Sequence, residues 1–363
     1  MDFGETGASP TRRGFRMPAE WEPHRATWMI WPHNPADWEV KTSAVRWCFA
    51  EMISHISNSE RVALIVQDQR TERQATRTLT QAGTDLSRVE FHVIRTNRSW
   101  IRDSGPIFVT RPVSKGRPSI ALTDWGFNGW ARYRAWTYDN AVPARIAKIL
   151  KLPRFPIRIR SSDYIRDVVL EGGSIDVNGQ GLLLTTEQCL LGRVQVRNPG
   201  IPREGIERAL RVSLGVKKVL WLGGGIEGDD THGHIDDVAR FVSTNVIAAA
   251  LESDPSDVNY EPLRRNYKQL KDMSTSNGKP LEIVPIPMPR PVRFEGQRLP
   301  ASYLNFYIAN KSVLVPTFND PNDRIALTKL QRLFPSREVI GIHAGDLVLG
   351  LGALHCLTQQ EPV

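Results

Sequence analysis

Two hydrophobic patterns alternate along the chain. Short apolar runs rich in Val, Ile and Leu, bounded by Gly, Pro, Asn or Asp, read as strands. Between them lie stretches whose apolar residues recur three and four apart, the spacing of one helix face; Ile206, Leu210 and Leu214 are an example. Pro143, Pro202 and Pro321 stand near predicted helix starts, where a missing N–H costs nothing. The alternation has a unit: strand, amphipathic helix, strand, then an extended segment with a Gly or a carboxylate near its start. Five copies follow one another. Their leading strands are 62–66, 120–125, 182–186, 246–251 and 312–316, and their helices lie near 69–82, 139–151, 202–214, 260–273 and 322–333. The second strands are 89–94, 155–159, 218–222, 281–287 and 338–342, and the fourth elements 100–109, 169–177, 232–242, 302–309 and 351–359. One copy alone leaves an apolar face bare, so five stacked around a common centre would bury it. Any α/β chain yields loose strand–helix–strand repeats. Here, however, Asp103, Glu171, His234, Asp236 and Cys356 all fall in fourth elements, which would meet if those elements line one axis. The expectation is an α/β fold with a single domain over 17–363 and a mobile tail over 1–16. A strand at 28–32 and a helix near 41–58 have no assigned place.

Composition changes little in this picture. Hydrophobic residues make up 40% and charged residues 24% of the 363 positions, as in a globular protein. No apolar run reaches membrane-spanning length, so no membrane partner is expected. The first fifteen residues lack the apolar core of a secretory signal. Three cysteines (Cys48, Cys189, Cys356) do not make a disulfide framework. A cytoplasmic protein with reduced thiols is expected. The net charge of +8 points at first to a polyanion. Its Lys and Arg are scattered, with loose clusters at 154–166 and 290–298 and no basic block or zinc-finger spacing, so nucleic acid is not the expected partner. One segment runs the other way: 227–237 (EGDDTHGHIDD) carries five acids, two histidines and no Lys or Arg.

The chemistry concentrates in a few residues. Cys356 lies in LHCLTQQ beside His355 and polar neighbours, whereas Cys48 and Cys189 sit in settings that suit a small buried hydrophobe. A thiol becomes a nucleophile only beside a base or a positive charge. The candidate base is His234, which on a strand would share a face with Asp236 two residues on. His232, His234 and Asp236 also spell TH-x-H-x-D, like the metal motif of metallo-β-lactamase-type hydrolases, but Asp237 stands where the final His belongs. Asp103 in WIRDSGP and Glu171 in LEGGSID would each cap a turn if taken alone. With Asp236 they make three carboxylates and no obligate metal set. Asp229, Asp230 and Asp237 would add to a local acidic pocket. Such a site suits a planar cation, because a carboxylate pairs with a guanidinium fork through two parallel hydrogen bonds.

These residues match a known pattern. The chain from Met17 onward resembles the agmatine deiminases of the guanidino-group-modifying (pentein) superfamily. The resemblance runs through MPAEWEPHRATWMIWPHNPADW (17–38), SWIRDSGPIFV (99–109), DWGFNGW (124–130), LEGGSID (170–176), TEQCLL (186–191), GDDTHGHIDDVARFV (228–242) and LHCLTQQ (354–360). It implies a five-fold pseudosymmetric propeller of ββαβ modules around a central active site. It implies Cys356 as nucleophile, His234 as general acid/base, and Asp103 and Asp236 as the guanidinium clamp. Glu171 supports the site and Trp100 walls the substrate channel. No metal or cofactor is implied. The partner is a small cationic guanidine, agmatine, and homo-oligomerisation is left open. A peptidyl-arginine or free-arginine deiminase, a metallohydrolase at THGHIDD and a basic binding module are the alternatives. The chain departs from the family's GGGNIHC at Leu351 and Ala353, and from its Trp-Gly-Gly at Ala131-Arg132. Both departures bear on selectivity at the amine end.

Overall fold

A computed structural model describes residues 9–112, 118–160 and 165–363. Its described strands form five mixed sheets of three or more strands, and two small hairpins. Each of the five has the same wiring. A short edge strand runs antiparallel to a central strand. A helix then leads from the central strand to a parallel third strand.

Edge, central and third strands are Ile107–Pro112, Pro118–Asp124 and Arg154–Pro156 in the first such unit. The next are Asp176–Val177, Leu182–Thr186 and Lys218–Leu222, then Ala239–Phe241, Val246–Leu251 and Glu282–Pro287. Tyr307–Ile308, Ser312–Thr317 and Glu338–His343 form the fourth. The remaining sheet joins the two ends of the chain. Gln359–Pro362 is antiparallel to His24–Ile30, which is parallel to Arg61–Val66, and Val89–Val93 is appended beyond it.

The helices start and stop as their sequences dictate. Pro321–Leu333 opens on a capping box, in which Asp320 accepts from the helix while Asp323 accepts the Asp320 N–H. Arg203–Leu214 ends at Gly215 in the left-handed region. Ile206, Leu210 and Leu214 are buried, as the spacing predicts. Two large apolar clusters, one around Phe241, Tyr303 and Phe306 and one around Trp31, Trp38 and Phe49, fill the spaces between helices and sheets. Among the described residues, no helix is long and apolar enough to cross a membrane.

Four expectations change. The sequence reading attached each fourth element to the copy before it. In the fold the first four of these elements pair with the leading strand of the next copy, and the fifth pairs with His24–Ile30. The unplaced segment 24–58 supplies the central strand and first helix of the end-joining sheet. The run 155–159 is not one strand: it breaks into Arg154–Pro156 and Arg158–Arg160, which pair in different sheets. The mobile tail expected over 1–16 does not describe residues 9–16. Residues 1–8 lie outside the described residues, but Thr11–Arg13 form a helical turn, Phe15 is buried, and Arg16 bridges to Thr110.

The fourth elements are strands only in their second halves. Just before four edge strands the chain makes a single helical turn: Ile101–Ser104, Gly172–Ser174, Ile235–Asp237 and His355–Leu357. The turn at 101–104 packs on both 172–174 and 355–357, and 172–174 also meets 235–237. Each of these turns bears or adjoins a predicted site residue.

Candidate active site

Cys356 sits in the turn His355–Leu357 and is almost fully buried. Its Sγ receives the Asn305 side-chain N–H at 3.2 Å and lies 3.7 Å from Asp236 Oδ2. Burial, then Asp236, Asp237 and Asp103, push its thiol well above the usual range. In the empty site the group is therefore a neutral thiol.

His234 is not on a strand. It precedes the turn Ile235–Asp237, in a loop tied down by Asp229, whose carboxylate accepts the backbone N–H of Thr231, Gly233 and His234 at 2.8, 2.7 and 3.1 Å. Gly233 has φ +100°, and a Cβ there would lie 3.0 Å from the Gln188 side chain, so the loop needs glycine. The pairing of His234 with Asp236 survives by another route, because the loop and turn bring both to the same place. An ideal Cβ on Gly173 would lie 2.6 Å from His234 Nδ1, 2.8 Å from Asp103 Oδ1 and 3.1 Å from Asp236 Oδ2. Burial works against the imidazolium, but Asp103, Cys189 and Glu171 together raise the His234 pKa well above its ordinary value. The ring is held as a cation, with Asp103 Oδ1 3.7 Å from its Nδ1.

The carboxylates differ from one another. Asp103 accepts the Gly173 N–H at 2.9 Å and the Trp130 indole N–H at 2.8 Å. Burial pushes it up to about 6, against the pull of His234. Glu171 is also buried, yet Arg197 at 3.1 Å and His234 outweigh burial and bring it down to about 2. Asp236 is held below its usual value against burial, chiefly by the hydrogen bond from His355 Nδ1 at 2.7 Å. Its Oδ1 has no partner.

The expected six-acid pocket is less negative than its count. Asp229 is spent on the loop backbone. Arg197 offsets Glu171. Asp237 is pushed well above the ordinary range by burial, Asp236 and Asp229, so it holds a proton. Asp230 accepts the Tyr133 hydroxyl at 2.6 Å on the cavity wall, which leaves Asp103 and Asp236 to meet a cation at the thiol.

A cavity of about 110 Å³ leads to Cys356 and Asp103 between Trp100 and Trp130, with Asp37, Arg98, Tyr133 and Asp230 also on its walls. Trp100 lies close over Gly350 and Gly352, where a Cβ would stand 2.8 and 2.7 Å from its ring. Leu351 between them adopts φ +66° and lines the cavity. Ala353, Ala131 and Arg132 do not line it. Of the sequence departures, Leu351 is the one that touches the substrate space.

The THGHIDD metal reading fails on geometry. His232 has φ +65° and turns away from His234, with Nδ1 3.5 Å from the Gln188 amide. Among the described residues, the cluster with metal-ligand spacing is Glu171, Cys189 and His234, whose ligand atoms lie within 4.8 Å of one another. Arg197 on Glu171 and the raised His234 make that cluster a place for a proton. Cys189, which the sequence placed as an ordinary buried residue, is thus a neighbour of the His234 ring.

Sequence reasoning missed Trp130 as a donor, Arg197, Asn305 and Glu20; it named Asp229 and His355 but not their roles as the loop anchor and the partner of Asp236. For Asn305 a signal existed. It precedes the edge strand Tyr307–Ile308, the position at which every other unit contributes a site residue.

A family model described as Porphyromonas-type peptidyl-arginine deiminase matches residues 16–362. The structure is similar to that of the agmatine deiminase of Enterococcus faecalis, with a TM-score of 0.88 and 34% identity over 99% of each chain. It is also similar to a Cys-to-Ser variant of the agmatine deiminase of C. jejuni with substrate bound, with a TM-score of 0.82 and 30% identity over 96% of each chain. The chain therefore belongs to the Porphyromonas-type peptidyl-arginine deiminase family, a family of hydrolytic deiminases.

Proposed function

We propose that the protein hydrolyses agmatine to N-carbamoylputrescine and ammonia through a covalent cysteine intermediate, as one catalytic domain whose five sheets close into a propeller. Five units of identical wiring, each with its pre-edge segment at the site, support that closure. The observation that carries the chemistry is the buried, neutral Cys356 thiol facing the clamp pair Asp103 and Asp236, with the His234 imidazolium on the Asp103 side of that pair. The site lacks one thing, a cation near sulfur, and a guanidinium brings it.

Asp103 and Asp236 accept the guanidinium N–H groups and orient its central carbon. The incoming charge favours the thiolate through opposite-charge stabilisation. The thiol proton passes to solvent as the guanidinium enters, and the thiolate attacks the central carbon to form a C–S bond while the C=N electron pair moves onto nitrogen. His234 gives its proton to the departing nitrogen, and ammonia leaves as the C–N bond breaks. The neutral imidazole then takes a proton from water, whose oxygen attacks the amidino-thioether carbon. Collapse breaks the C–S bond and returns thiolate and ureido product. Glu171, fixed by Arg197, keeps the imidazole oriented. The residues present complete this cycle without a cofactor. The narrow cavity between two indoles suits a slender alkylguanidine better than a peptide.

The test is ammonia release over agmatine, arginine, dimethylarginine and an arginine peptide, with parent and Cys356→Ser proteins. Agmatine turnover by the parent alone is expected, together with a mass increment on Cys356 after treatment with a haloacetamidine. Turnover at the parent rate by Cys356→Ser refutes the nucleophile, and preference for arginine or the peptide refutes the substrate.

A further inference from the structure

The two oxygens of Asp236 are used unequally. Oδ2 meets His355 Nδ1 at 2.7 Å, while Oδ1 is buried and unpartnered. The other ring nitrogen of His355, Nε2, lies 2.8 Å from Glu20 Oε2. Glu20 is itself anchored. Its Oε1 accepts the Ile308 N–H at 2.8 Å and lies 3.0 Å from Arg240, and its Oε2 lies 3.4 Å from Arg102. Glu20, His355 and Asp236 are 5%, 2% and 0% exposed, so water does not compete for these contacts. None of Glu20, His355 and Arg240 lines the cavity.

Carboxylates only accept hydrogen bonds, so a ring with a carboxylate on each nitrogen donates twice while both acids are ionised. Charge-assisted bonds of this length are about twice as strong as neutral ones. We propose that His355 and Glu20 are a positioning pair, which pins one oxygen of Asp236, fixes its rotamer and turns the unpartnered oxygen to the substrate guanidinium. The assignment rests on the guanidine-hydrolysis reading. It gives the N-terminal segment, through Glu20, a part in a site otherwise built from later turns.

The pair also governs the charge of Asp236. Six ionisable groups face that carboxylate. His355, His234 and Arg240 favour its ionised form, while Asp103, Asp237 and Cys356 as thiolate oppose it. Taking His355 away removes the hydrogen bond at Asp236 Oδ2 and leaves burial and the like charges with less opposition. Asp236 then binds its proton at higher pH, and the clamp loses its charge in a range where the parent keeps it.

Agmatine binding to Cys356→Ala, measured by calorimetry from pH 5 to 8, reads the clamp without turnover. Adding His355→Asn keeps one donor to Asp236 and removes the charge. The expected result is binding weakened about tenfold at the acid end, with its pH dependence moved up by about one unit. In the Cys356 background, Glu20→Gln should reproduce the shift to a smaller extent. With the native cysteine, His355→Asn should raise KM more at pH 6 than at pH 8. A purely structural role would lower Tm and leave these pH profiles in place. Coincident profiles in the folded Glu20→Gln and His355→Asn proteins overturn the pair. If His355→Asn does not fold, Glu20→Gln alone decides. No agmatine binding to Cys356→Ala itself overturns the functional reading and the pair together.

Discussion

Gly173 stands at the meeting point of the catalytic groups, and one added methyl group probes them all. Its backbone is outside the left-handed region, so Gly173→Ala brings no dihedral strain. The effect is one of space. Ordinary contact begins at 3.4 Å, so the new Cβ must drive His234 Nδ1 away by 3.4 − 2.6 = 0.8 Å and Asp103 Oδ1 by 3.4 − 2.8 = 0.6 Å. Neither group has free room. His234 is fully buried on a loop tied to Asp229, and Asp103 is bonded to Trp130 and to Gly173 itself. A misplacement of about 1 Å costs roughly two orders of magnitude in rate, so kcat/KM should fall about 30- to 100-fold. Overpacking should cost about 1–3 kcal/mol of stability. Steady-state ammonia release gives the first quantity and denaturant unfolding the second. Gly223→Ala is the control, because its Cβ would meet its nearest neighbour, Asn266, at an ordinary 3.5 Å. A Gly173→Ala enzyme with kcat/KM within about threefold of the parent would refute the packing of His234, Asp103 and Asp236 around this residue.

Further predictions follow from the electrostatics. Asp103, at about 6 in the empty site, must be ionised to clamp a cation, so kcat/KM should fall as the pH drops through 6. Trp130→Phe removes a donor that favours the ionised form and should move that limb to higher pH; an unmoved limb would contradict the assignment. Glu171 lies near 2 in the fold and higher when unfolded, so its stabilisation is present above about 4.5 and lost as the pH falls towards 2. Glu171→Gln strands a buried Arg197 and should cost about 3–5 kcal/mol at pH 7, narrowing in acid; equal unfolding free energies at pH 7 would rule this out. Leu351→Gly relieves a left-handed leucine and widens the cavity beside Trp100. The rate on free arginine relative to agmatine should rise, and an unchanged ratio would remove Leu351 from selectivity.

Much of this was legible in the sequence because two periodicities and a handful of polar residues carry it. Four of the five leading strands and repeat helices take the place in the repeat that the apolar spacing assigns; in the first copy 62–66 is a third strand, and the helix of that unit is Thr42–Ser57 rather than the one at 69–81. The limits are physical. Pairing between 24–30 and 359–362 leaves no local mark, since it joins segments at opposite ends of the sequence. The helical turns at 101–104 and 235–237 are too short for a hydrophobic period to show, so they read as strand. His234 and Asp236 converge although the strand argument for them does not hold. Glu20, His355 and Arg197 act through buried pairs. A buried pair is invisible until the fold brings its members together, because each member alone reads as an ordinary surface residue. Asn305 is different: register within the repeat would have marked it.

The strand at 359–362 begins three residues after Cys356, and its partner at 24–30 lies near the other end of the chain. During synthesis at about 5–20 residues per second, the early strand waits on the order of 20–60 s for it. Through that interval the clamp and the imidazole can form on a chain that has no nucleophile. Their buried acids then have neither substrate nor sulfur to enclose, and an exposed strand edge stands open to other chains. With Cys356 as the proposed nucleophile, a chain whose residues 356–362 have not docked is expected to be inert toward guanidines, and its hazard is aggregation through that open edge.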